Sequence, residues 1–157
     1  MPHFSDILRV APLPDGRTWV LLTRFGFGGD TAPAGFMTDF ASIPRLFQNI
    51  LPGWGTYGRG AVIHDWLYWS QYKTRREADG VLFSAMMAGG TGWITRWTIY
   101  LVLRPFGFVA WHRNRIEREE GHSRQMNINH LSLETRSGRV SFTRHLARRA
   151  FRRIKGE

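Results

Sequence analysis

The chain has 157 residues, with 22 Lys and Arg against 12 Asp and Glu, no cysteine and a formal net charge of +10. That length suits one compact domain, and 43% hydrophobic with 14% aromatic residues supply a packed core and exclude a disordered chain. Without cysteine there is no disulfide framework, no thiolate zinc site and no cysteine nucleophile.

Residues 4–36 read as β structure. Residues 7–10 and 18–22 are strand-like runs around the turn signal at 12–16, and 26–35 is a second turn-rich stretch. No signal-peptide pattern precedes the first run, so Sec-type export is not expected. Residues 45–58 read as loop or one short helix.

Two helices follow closely. The first, about residues 59–71, is apolar nearly all round, as in a helix buried in a core. The second opens at Thr74 with the capping-box pattern Thr74-Arg75-Arg76-Glu77 and closes at Gly89-Gly90. The link is so short that the pair should run antiparallel.

Residues 93–111 are long enough to span a bilayer. Arg96 and Arg104 fall inside, however, leaving a charge-free run of seven residues, and Pro105 and Gly107 interrupt it further. A buried or interfacial segment is expected, followed by a separate charged helix at about 112–124. The tryptophans at 66, 69, 93, 97 and 111 are expected in the core.

The charge divides unevenly. Residues 1–135 carry 14 cations against 11 acids, a balance of +3; residues 136–157 carry eight against one, a balance of +7. In that tail Phe142, Leu146, Ala150 and Ile154 recur every fourth residue, the pattern of an amphipathic helix. The predicted organisation is a single α+β domain over 1–125, a linker over 126–140 and a basic helical tail over 141–157. In the domain, an N-terminal β-hairpin region packs on the antiparallel helix pair, followed by the hydrophobic helical segment.

The scarce acids mark the chemistry. His64 and Asp65 are adjacent ionisable groups in an apolar helix, and Tyr68 lies one turn beyond His64 on the same face. Asp79 shares a face with Leu82, Phe83 and Met86, so it should enter the core and need a partner. His64 is available on the neighbouring helix. An Asp accepting from one imidazole nitrogen fixes the tautomer and leaves the other nitrogen free as a general base. Asp65, rotated by about 100° on the wheel, points elsewhere, toward the loop carrying Asp39. Two carboxylates, loop carbonyls and water suit a hard cation such as Ca²⁺. The other histidines lack metal-ligand spacing such as HExxH.

GFMTDFASIPR (35–45), AVIHDWLY (61–68) and the helix bearing Arg76 and Asp79 resemble a family common in tailed phages and prophages, catalogued as a domain of unknown function. That resemblance covers roughly residues 4–115, implies a phage or prophage origin and names no activity. More remotely, the chain resembles the phospholipases A₂, particularly bacterial and fungal secreted forms and the parvoviral capsid domain. His64-Asp65-Trp66-Leu67-Tyr68 is similar to their HDxxY helix, and residues 38–42 to the calcium-loop segment of the bacterial forms. The resemblance implies that His64 activates water, Asp79 orients His64 and Tyr68 buttresses Asp79. It also implies that Asp65 and Asp39 hold Ca²⁺, with Phe40 in the loop that supplies carbonyls. The departures are the missing cysteines, a shorter His64-to-Asp79 gap and the absence of the glycine-rich calcium loop in its expected form.

The leading expectation is a phage-encoded, calcium-dependent lipid ester hydrolase of phospholipase A₂ type, with association to the virion as a further expectation. The alternative is a non-catalytic virion component of the tail tip, baseplate or neck, in which His64, Asp65 and Asp79 form a core hydrogen-bond network that fixes helix packing. A cell-wall-directed hydrolase is a third reading. Expected partners are phage tail or virion proteins and an anionic membrane surface, with no sequence-specific nucleic acid. The expected location is the virion, or the host cytoplasm before assembly.

Overall fold

The turn at residues 12–16 is built by one side chain. Asp15 accepts from the backbone N–H of Arg17 (3.0 Å) and Thr18 (2.9 Å) and from the Thr18 hydroxyl (2.6 Å). Gly16 takes the positive φ of 68° that the reversal requires. The turn joins β1 (Val10–Pro12) to β2 (Trp19–Leu21), antiparallel with Ala11 opposite Val20. The computed structural model describes residues 2–39 and 57–128. Within 26–35 the turn-rich stretch folds as a second hairpin: β3 (Phe25–Phe27) and β4 (Asp30–Ala32) pair across Gly28-Gly29, both at positive φ. A two-residue strand, β5 (Met37–Thr38), then adds to the other edge of β2, setting Thr38 opposite Trp19.

Three helices follow among the described residues: α1 (Gly58–Ser70), α2 (Arg75–Ala88) and α3 (Trp93–Glu119). The architecture is α+β, antiparallel strands then helices, and no described helix is long and apolar enough to cross a membrane. Helix α2 starts as predicted. Thr74 Oγ1 accepts from the Glu77 N–H, and the Glu77 carboxylate accepts from the Thr74 N–H. Contacts between α1 and α2 run in opposite senses: Gly60 faces Ala85, His64 meets Asp79, and Tyr68 meets the same aspartate from a turn further on. The pair is therefore antiparallel.

Helix α1 is the centre of the molecule. Val62, Ile63, Leu67 and Tyr68 join Leu21, Phe25 and Phe36 of the strand layer, while Ala61 packs with Leu82, Met86, Ile99 and Leu103 of α2 and α3. A helix buried on two sides has no polar face to offer, which is why its sequence is apolar nearly all round. Gly60 permits the close approach: a Cβ there would lie 3.0 Å from the Ala85 Cβ.

Two expectations are overturned on α3. The predicted breaks at Pro105 and Gly107, and the separate helix at 112–124, give way to one helix from Trp93 to Glu119 with Pro105 inside it. A proline deletes one intrahelical donor, and packing here outweighs that loss. Leu103 is in the core, and Arg75 of α2 donates to the Arg104 carbonyl at 2.8 Å. Trp93 and Trp97, expected in the core, lie on the outward face and are exposed; the core-facing side of the helix is Ile99, Leu103, Gly107 and Asn114. Of the loop or short helix expected at 45–58, residues 45–56 lie outside the described residues, as do the tail at 141–157 and the linker from residue 129.

Candidate functional site

Asp79 gathers four side chains. Its Oδ1 accepts from the Tyr68 hydroxyl at 2.6 Å and lies 3.1 Å from His64 Nε2. Its Oδ2 accepts from an Arg104 guanidinium nitrogen at 3.0 Å, with Arg75 at 3.6 Å. His64, Tyr68 and Asp79 are all buried. The helix register explains the assembly: Tyr68 follows His64 by one turn of α1, and Arg75 precedes Asp79 by one turn of α2. From the third side, α3 presents Arg104 and Gly107. A Cβ on Gly107 would overlap the Tyr68 hydroxyl, so only glycine lets α3 come this close.

Protonation states follow from this geometry. Burial pushes the Asp79 carboxyl up, but the bonds from His64 and Tyr68 and the nearby Arg104 outweigh it, leaving Asp79 below the usual carboxylate range and ionised. Burial pushes the His64 imidazole down and prevails over its attraction to Asp79, so the ring is neutral near pH 7. Burial also raises the Tyr68 phenol, reinforced by Asp79, so Tyr68 remains a donor. An ionised Asp79 can only accept. The His64 proton therefore sits on Nε2, and the lone pair on Nδ1. Nδ1 is buried and has no hydrogen-bond partner among the described residues.

Asp65 faces away from this cluster, as its wheel position predicts. Its Oδ2 accepts from the Thr38 hydroxyl, both groups being buried where β5 ends. Asp39 is exposed immediately after β5, and Phe40 lies outside the described residues. Among the described residues no three His, Asp or Glu side chains are placed to share a metal ion. The structure thus brings together His64, Tyr68 and Asp79, and joins Asp65 to the strand that leads into Asp39.

Sequence reading missed Arg75, Arg104 and Gly107. Arg75 carried a usable signal, its i, i+4 spacing to Asp79. Arg104 was visible only as a charge that spoiled a membrane span; an arginine inside an apolar run also signals a buried acid to pair with. Gly107 was visible only as an interruption of the same apolar run.

Residues 19–103 match the model of a family described as "Protein of unknown function (DUF1353)". The chain belongs to that family. The match takes in β2 through the first part of α3, up to residue 103, hence every residue of the Asp79 cluster except Arg104 and Gly107. No curated protein and no solved structure matches the chain.

Proposed function

We propose that this DUF1353 protein is a hydrolase of phospholipase A₂ type, in which His64 acts as general base on water and the substrate is a lipid ester. The supporting observation is the state of His64: neutral, tied through Nε2 to an ionised aspartate, with the Nδ1 lone pair uncommitted among the described residues. A base in that state takes a proton from water at Nδ1 as the water oxygen bonds to the ester carbonyl carbon. The imidazolium so formed lies against Asp79, which stabilises the new charge without moving, and then returns the proton to the leaving alcohol. Tyr68, Arg104 and Arg75 hold Asp79 in place.

Asp65 and Asp39 are the residues whose carboxylates would hold a calcium ion, with a carbonyl of residue 40 as a further donor. The donors are all oxygen, as a hard cation requires; of the two carboxylates Asp65 is buried and Asp39 exposed. A bound cation there would polarise the ester carbonyl. The phage and virion setting rests on the resemblance of the 35–45 and 61–68 segments.

Complete burial of the His64 side chain favours a second reading, a non-catalytic protein whose buried network fixes the packing of three helices. Labelled phospholipid vesicles separate the two. With calcium, the wild type should release fatty acid, and both chelator and His64→Ala should reduce release to background. Equal background release in all arms, with His64→Ala less stable than wild type, establishes the structural reading instead.

A further inference from the structure

We propose that the outward face of α3 docks on an anionic lipid surface. Ile94, Trp97, Leu101, Phe108, Val109 and Ile116 are all exposed and fall within one side of the helix wheel, a stripe running most of the length of Trp93–Glu119. Leu101 is 61% exposed and Val109 67%, so these are not grazing contacts at the edge of the core. A contiguous apolar strip of this kind on a described surface marks an interaction site.

Charge selects the occupant. Residues 93–116 contain Arg96, Arg104, Arg113 and Arg115 and no acid; the first acidic residue of the helix is Glu117. Arg113 and Arg115 are half exposed, flank the stripe, and reach Glu117 and Glu119 of the last turn. Trp, Phe and Leu on one face with arginines alongside is the composition of a helix lying in a membrane interface, its apolar side among acyl chains and its guanidinium groups among phosphates. A second copy of the chain would set this cationic helix against another, in a protein of net charge +10. The surface is separate from the Asp79 cluster, which α3 contacts through its inward side, and its test reads lipid contact and not hydrolysis. It therefore stands or falls apart from the hydrolase reading.

Because the chain has no cysteine, Leu101→Cys in the full-length protein accepts a single environment-sensitive fluorophore, and Arg17→Cys, exposed beside the β1–β2 turn, provides the reference. On vesicles of phosphatidylcholine with phosphatidylglycerol, the label at 101 should shift to the blue and be quenched by nitroxides on the acyl chains. The label at 17 should stay in water. High salt should leave the quenching at 101 in place on bound protein, since it reports apolar insertion. Adding Ile94→Asp and Val109→Asp should lower partitioning by about tenfold or more. Three results overturn the proposal. Binding with the label at 101 still in water would assign lipid contact to the +7 tail alone. A blue shift that grows with protein concentration without lipid would make the face a self-association surface. A label already shielded in dilute protein would mean that another part of the chain covers it.

Discussion

Replacing Asp79 by Asn keeps the shape of the side chain and removes its charge. The oxygen of the amide can still accept from Tyr68 and His64, which meet Oδ1 at 2.6 and 3.1 Å. The amide NH₂ then takes the place of Oδ2 and confronts Arg104, which donates to Oδ2 at 3.0 Å, so donor meets donor. Losing one charge-assisted hydrogen bond costs about 1.5–3 kcal/mol, and the two bonds that survive lose their ionic component. Arg104 is one-third exposed and can turn to water, which limits the penalty below that of a fully buried broken pair. The sum is about 3 kcal/mol at pH 7, equivalent to a fall in Tm of roughly 6–12 °C for a chain of this size. Urea unfolding of wild type and Asp79→Asn measures it. The pH dependence supplies a second check. The Asp79 carboxyl lies below its ordinary value in the folded state, so its stabilisation is present at neutral pH and is lost as pH falls through the folded-state value. The gap between wild type and variant should therefore narrow in acid, where both side chains are uncharged. A loss under about 1 kcal/mol at pH 7, or a gap that does not narrow, refutes an ionised Asp79 at the centre of the network.

Tyr68→Phe removes one donor to Asp79 and should cost about 1.5–3 kcal/mol in the same unfolding experiment. Two glycine substitutions should have opposite signs. Gly107→Ala drives a methyl into the Tyr68 hydroxyl and should destabilise by about 1–3 kcal/mol, whereas Gly80→Ala meets nothing within 4 Å on α2 and should stabilise by about 0.5–1 kcal/mol. His64 titrates below the ordinary imidazole value because it is buried. Its contribution is thus complete above about pH 6.5 and declines as pH falls below that, when the unfolded chain takes up a proton that the folded chain refuses. Unfolding between neutral pH and pH 5 should show a shallower slope in His64→Gln than in wild type, and equal slopes would place a charged imidazole in the core.

What could be read from the sequence was local. The Thr74–Glu77 capping box, the turn at 12–16 and the apolar girth of α1 each follow from chemistry within a few residues, and each is found. The pairing of His64 with Asp79 was legible too, because two inward-facing ionisable groups on adjacent antiparallel helices have few other partners. What failed was tertiary. Pro105 reads as a break until Arg75 is seen donating to the carbonyl of Arg104, and a tryptophan reads as core until the helix carrying it turns out to pack by a narrow face. Position 107 has meaning only once the Tyr68 hydroxyl is placed against it.

The arginines missed in the sequence also bear on what the cluster is for. A His–Asp pair alone in a core would favour a shared proton or an imidazolium, since the carboxylate would have no other counter-charge. Here Asp79 has Arg104 at 3.0 Å and Arg75 at 3.6 Å, so its charge is balanced from α2 and α3 and the imidazole need not protonate to balance it. Burial keeps His64 neutral, and the bonds from His64 and Tyr68 together with Arg104 keep Asp79 ionised, so the imidazole proton is directed to Nε2 and the lone pair lies at Nδ1. A network that served only to join helices would not require that division, because an apolar trio of similar volume would also pack the helices without desolvating any charge. The distribution of protons, more than the presence of the residues, is what favours a base at position 64.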